Sequence, residues 1–200
     1  MTDTINTLQQ LNILFQNLII DILGFVKTGS PAAYSETAFK AVRISWPTTG
    51  APSWKITDDV CFIKVAEQDD NYNRLRESKY ENITGDTENI ASETWYTRVI
   101  GLDLVLYGPN SWTNAMLVRD SIYKYESQTT LKDNNLHLIP DISSPVRFPE
   151  LFSSQWWERV DLSMRFNELV IREDNIPFIE SVEVIIGTDL GAEKTVLIGG

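Results

Sequence analysis

The chain has 200 residues, 42% of them hydrophobic and 10% aromatic, which suits one compact domain with its own core and excludes wholesale disorder. Seventeen basic against 28 acidic side chains leave a net charge of −11, which argues against a surface that holds nucleic acid by neutralising phosphates and suits one that repels it or is simply soluble. The single cysteine, Cys61 in the run Val60-Cys61-Phe62-Ile63, excludes an intrachain disulfide and reads as a small buried hydrophobe in a reducing compartment.

From Thr4 to about Val26, Leu8, Leu11, Phe15, Leu18, Ile19, Ile22 and Leu23 fall on one helical face, and the opposite face is uncharged amide. This predicts a core-packing amphipathic helix rather than a membrane-binding one, ended by Gly24 to Gly29 and Ser30-Pro31. The N-terminus carries no basic n-region or small-residue cleavage site, and no apolar run approaches the ~20 residues that span a bilayer, so neither secretion nor membrane anchoring is expected. Phe39 to Trp46 alternates Val42, Ile44 and Trp46 against Arg43 and Ser45, a short strand stopped by Pro47. Val60 to Val65 is apolar on both faces, as an interior strand requires. Gln68 to Ser92 is polar and predicts a long exposed loop, a candidate contact arm or an excursion that orders nothing.

Trp95 to Tyr107 puts Ile100, Leu102, Leu104 and Leu106 on one side of a strand; Gly108-Pro109 ends it, and Trp112, Ala115, Met116, Arg119, Ile122 and Tyr123 recur at helical spacing. Thr130 to Pro149 holds three prolines and is expected to be a connector, neither helix nor interior strand. Trp157 to Ile171 alternates Val160, Leu162, Met164 and Phe166 against Arg159, Asp161, Ser163, Arg165 and Asn167, a half-exposed strand. An Asp174-Asn175 turn into Phe178 to Ile186 predicts an antiparallel hairpin, followed by a glycine-flanked Val196-Leu197-Ile198 run that either frays or adds a strand to a neighbouring subunit. Together these elements predict a single α+β domain, mostly antiparallel sheet flanked on one face by helices, over residues 1–188, with 189–200 as a C-terminal arm.

No catalytic constellation accompanies them. His137 is the only histidine, no metal-ligand or phosphate-loop spacing occurs, and Asp58-Asp59 and Asp69-Asp70 read as solvated turn residues. Glu158, Asp161, Glu168 and Asp103 lie on predicted strands whose pairing decides whether they meet. Hence no enzyme, cofactor or metal is expected. Six tryptophans exceed what one small core readily buries, although at least half are expected at the sheet–helix junction.

The strand Val42-Arg43-Ile44-Ser45-Trp46, the segment Leu102 to Ser111 with its Tyr107-Gly108-Pro109-Asn110-Ser111 turn, and Arg147-Phe148-Pro149-Glu150-Leu151 leading to Trp157-Glu158-Arg159-Val160-Asp161-Leu162 resemble, in order and spacing, the neck or tail terminator proteins of tailed bacteriophages. That resemblance covers roughly residues 35 to 188; the last residues do not match it. It implies a non-enzymatic virion protein, assembled in the host cytoplasm, that rings the head-proximal end of the tail tube as a homohexamer. Its implied partners are other copies of itself, the tail tube protein, the head–tail connector and the sheath, with DNA passing through the channel without specific binding. Exposure and interface composition nominate Trp156, Trp157 and Arg159 for one ring face, Tyr72, Arg74 and Arg76 for a loop contact, and Val196, Leu197 and Ile198 for an arm. Two other classes stay open: a different tail or baseplate interaction module, and a small phage hydrolase.

Overall fold

A computed structural model describes residues 4–25, 27–28, 33–45, 54–86, 88–177, 181–187 and 193–199. The first helix, α1 (Leu8–Ile22), starts later than its apolar spacing suggests. Thr7 and Gln10 form a reciprocal capping box, with the Thr7 backbone N–H donating to Gln10 Oε1 at 2.8 Å, which fixes the helix entry. Ahead of it the chain is extended, and Thr4 pairs through its backbone with Ile171. The buried face is Leu11, Phe15, Leu18, Ile19 and Ile20, whereas Leu8 is 60% exposed.

Strands β1 (Lys27–Thr28) and β2 (Ala33–Tyr34) make a small hairpin before α2 (Glu36–Ala41) and β3 (Val42–Ile44). The strand expected from Phe39 therefore begins only at Val42: Ser35 caps the preceding segment, and the Glu36–Lys40 ion pair at 2.7 Å is a one-turn helical contact. Trp46 lies outside the described residues. The interior strand is β4 (Val60–Gln68), parallel to β3 and antiparallel to β6 (Asn89–Tyr107).

Gln68 to Ser92 is not a loop. A 3-10 turn (Asn71–Arg74) leads to β5 (Glu77–Asn82), which pairs with Ile90 to Trp95 at the start of β6. Both faces of β5 are exposed, so no apolar alternation marks it; backbone pairing does the ordering instead. After β6 come α3 (Ser111–Ser121) and α4 (Tyr125–Lys132), then β7 (Leu136–Ile139), β8 (Val146–Arg147), β9 (Glu150–Phe152), β10 (Gln155–Trp157) and β11 (Arg159–Pro177). The expected connector thus still holds the end of a helix at Thr130 to Lys132 and an edge strand, β7, stopped by Pro140. Asp174-Asn175 is no turn either, because both residues stay inside β11 opposite Ser92 and Ala91. The hairpin that follows is β12 (Ser181–Gly187) with β13 (Glu193–Gly199), a two-stranded sheet of its own.

The main sheet has seven strands, ordered β3-β4-β6-β11-β7 with β5 beside β6 and β8 beside β11, and all its pairs except β3–β4 are antiparallel. The rungs Cys61–Leu106–Val160, Ile63–Leu104–Leu162 and Val65–Leu102–Met164 face the core. Onto them pack Phe15 and Ile19 of α1 and Ala115 and Val118 of α3, and the Phe15 and Phe166 rings lie 4.9 Å apart. The helical face of α3 is Ser111, Ala115, Val118 and Ser121, continued by Ile122, rather than the face containing Trp112 and Tyr123, which are both exposed. Opposite rungs, Phe62–Val105–Asp161 and Lys64–Asp103–Ser163, point to the other face, where no described helix packs.

Two devices hold the long strands in place. Gly108 turns β6 into α3 at φ +107°, and a Cβ there would sit 2.6 Å from the Asp58 carbonyl oxygen; Asp59 accepts from the Asn110 backbone N–H at 2.9 Å and from its side-chain amide at 2.8 Å. The Tyr-Gly-Pro-Asn sequence is therefore a tight turn clamped onto the Asp58-Asp59 turn. Farther along, the fully buried Glu168 accepts from Arg98 Nε at 2.7 Å and from the backbone N–H and side chain of Asn6, while Arg98 also donates to the Asn6 carbonyl at 2.6 Å. Removing one partner of such a pair strands a buried charge. Arg98→Met is accordingly expected to lower unfolding free energy by about 3 kcal/mol, read from urea midpoints; a loss under about 1 kcal/mol contradicts the pinning role.

Candidate functional site

Past Pro149, which has no N–H to extend β8, the chain turns back on itself as the β9–β10 hairpin. Ser153 (φ +47°) and Ser154 (φ +62°) both occupy the left-handed region, as a two-residue primed turn demands. The register sets Leu151 opposite Trp156 and Glu150 opposite Trp157, so Leu151 and Trp156 share one face while Glu150, Phe152 and Trp157 share the other. Trp156, Phe152 and Leu151 are 67%, 63% and 58% exposed.

The second face of the hairpin bounds an aromatic recess of about 400 Å³ lined by Trp54, Tyr107, Glu150, Phe152 and Trp157. Its rings touch edge to face: Trp157 lies 5.9 Å from Trp54, 6.1 Å from Phe152 and 6.5 Å from Tyr107, and Trp54 lies 5.1 Å from Phe62. Behind them the buried Arg43 guanidinium stacks 5.4 Å from Trp54 and 5.8 Å from Phe62. Burial draws Arg43 below the ordinary arginine range, opposed by Asp58.

Charges around the recess are paired within the chain. Tyr107 donates its hydroxyl to Glu150 at 2.8 Å, and Arg159 grips Asp161 through two 2.8 Å bonds and reaches Glu150 at 3.4 Å. Those bonds to Asp161, above all, raise Arg159 beyond its usual value. Arg147 makes a forked contact to Glu158 at 2.8 and 3.0 Å. Burial, reinforced by Glu150, pushes the Tyr107 hydroxyl from 10.0 up to about 12.

The sequence candidates separate into groups. Trp156, Trp157 and Arg159 do meet at this hairpin, on different sides of it: Trp156 projects outward, Trp157 closes the recess and Arg159 is locked to Asp161. Arg74 pairs with Asp69 at 3.5 Å, Arg76 stacks 4.0 Å over the Tyr96 ring, and Tyr72 lies on the same 3-10 turn with its side chain outside the described residues. Tyr96 is eleven β6 positions from Tyr107, roughly 36 Å at the strand rise, so this group is a different surface. Val196, Leu197 and Ile198 pair with Val184, Glu183 and Val182 of β12, in a two-stranded sheet of their own.

The strand carboxylates do not converge. Glu158, Asp161 and Glu168 each face their own arginine, and Asp103 accepts from Ser163 Oγ at 2.7 Å. Among the described residues no group of three His, Cys, Asp or Glu side chains could hold a metal, and no helix is long and apolar enough to cross a membrane. His137 is exposed on β7, and burial pushes the Cys61 thiol up to about 12. None of the five described tryptophans is among the buried core residues, which corrects their expected place at the sheet–helix junction. Sequence alone does not point to Trp54, Tyr107, Glu150 and Phe152 as site residues, since Ser-Ser is a weak hairpin signal and Trp54 is distant in the chain.

A family model described as phage neck terminator protein matches residues 9–189. No curated protein matches the chain.

Two outcomes follow from the site geometry. Trp157→Ala is expected to cost about 2–4 kcal/mol in a denaturant titration, and Trp156→Ala to stay within about 0.5 kcal/mol of wild type; equal losses contradict the outward placement of Trp156. Because the folded state holds Tyr107 protonated to a higher pH than the unfolded chain does, its contribution is complete below pH 10 and lost as pH rises towards about 12. Stability measured at pH 8 and pH 11 is expected to fall less for Tyr107→Phe than for wild type, and identical slopes contradict it.

Proposed function

The chain belongs to the phage neck terminator family, and from that membership we propose that this structural virion protein closes the head-proximal end of the tail tube as a hexameric ring. In this reading it ends tube polymerisation and offers its outer face to the head–tail connector, with the sheath as a further neighbour in a contractile tail. Assembly takes place in the host cytoplasm, before filled capsids dock.

The observation that carries the reading is the β9–β10 hairpin: Leu151, Phe152 and Trp156 stand more than half exposed on two paired strands. Tryptophan and aromatic side chains anchor interfaces because they remove large area from water at small cost in side-chain entropy. A net charge of −11 keeps passing DNA from adhering to a channel wall lined by such subunits. Residues 1–188 act as the domain, and residues 189–200, which carry β13, act as an arm towards a neighbour.

Addition of gold-labelled protein to polymerising tail tube protein tests the role by electron microscopy. Shorter tubes with label at one end, the end that accepts connector, are expected. Tubes of unchanged length, or label at the distal tip, overturn it in favour of a baseplate module.

A further inference from the structure

The two faces of the β9–β10 hairpin are complementary to each other rather than alike. One carries a knob, Leu151 and Trp156, and the reverse face carries the aromatic recess closed by Phe152 and Trp157. Resting on the ring reading above, we infer that neighbouring copies join through this hairpin, the Trp156 knob of one copy entering the Trp54–Tyr107–Trp157 recess of the next.

Three features favour a second copy as the occupant. Taking roughly 150–250 Å² for a large apolar side chain, the exposed fractions of Leu151 and Trp156 leave on the order of 250 Å² of apolar surface on the knob face alone. A standard interface takes roughly 800 Å² from each partner, a little over half of it apolar and with its aromatic anchors at the centre, so the knob supplies the centre of such an interface and the surrounding surface its rim. Second, Arg147 and Arg159 stand against Glu150, Glu158 and Asp161, all mutually paired, so two chains of charge −11 can approach here without strong repulsion. Third, the recess volume of about 400 Å³ admits an indole.

The arrangement also sets the symmetry. Knob and recess lie on opposite sides of one hairpin, so a one-way contact between them relates copies head to tail, the kind of contact that closes into a ring when the rotation between copies closes, as the ring reading requires.

Sedimentation equilibrium of wild type, Trp156→Asp and Phe152→Asp, alone and mixed, tests this. Each variant alone is expected to be monomeric, its self-association weakened roughly 30-fold or more. Their mixture is expected to form a one-to-one heterodimer, because the first keeps its recess and the second its knob. Self-association of Phe152→Asp alone, or no heterodimer on mixing, overturns the knob-and-recess contact. Wild-type rings that both variants reproduce also overturn it while leaving the ring reading intact, as does loss of tube-protein binding without loss of rings. A wild-type protein that stays monomeric at every concentration overturns the ring reading itself. Both altered side chains are more than half exposed, and Phe152→Ser replaces Phe152→Asp should the latter melt below wild type.

Discussion

Strands β6 and β11 pair without interruption over nineteen residues each, from Arg159 opposite Tyr107 to Pro177 opposite Asn89. Side chains alternate along a strand, so a slip of one position would send Leu102, Leu104 and Leu106 to water and Asp103 into the core. Hydrophobic burial against α1 and α3 thus specifies the register, and the register specifies everything outside the core. At one end it sets Arg159 opposite Tyr107, which brings Glu150, Trp157 and the β9–β10 hairpin to the face opposite α1 and α3. At the other it sets Glu168 opposite Arg98, where Asn6 seals the buried charge.

What could be read from the chain follows the same physics. Strands with one wet and one dry face announce themselves, and the alternation of Val160, Leu162, Met164 and Phe166 corresponds to the buried side of β11. The predicted α+β class with a mostly antiparallel sheet agrees with the structure. Elements without such contrast were illegible: β5 is wet on both faces, and the late hairpin formed one turn farther on because Asp174 and Asn175 kept pairing with β6. Local capping chemistry at Ser35 also outweighed the strand-like pattern around Phe39. Of the site, Trp156, Trp157 and Arg159 were legible as a cluster of interface residue types close in sequence. Their companions Trp54, Phe62 and Tyr107 come from three other segments and become neighbours only through the sheet.

The arrangement separates two tasks along one molecule. Arg98 and the buried Glu168 satisfy each other within the chain and tie the two long strands together. Leu151, Phe152 and Trp156 of the β9–β10 hairpin are among the large apolar side chains that remain wet.

Hydrogen–deuterium exchange of the full chain, compared between dilute and concentrated protein, tests most directly whether the hairpin is where copies meet. The account predicts new protection confined to residues 146–157 and the neighbouring amides of Trp54 to Phe62, with the β6–β11 core unchanged. Protection that appears on concentration elsewhere, with 146–157 exchanging as before, would contradict it.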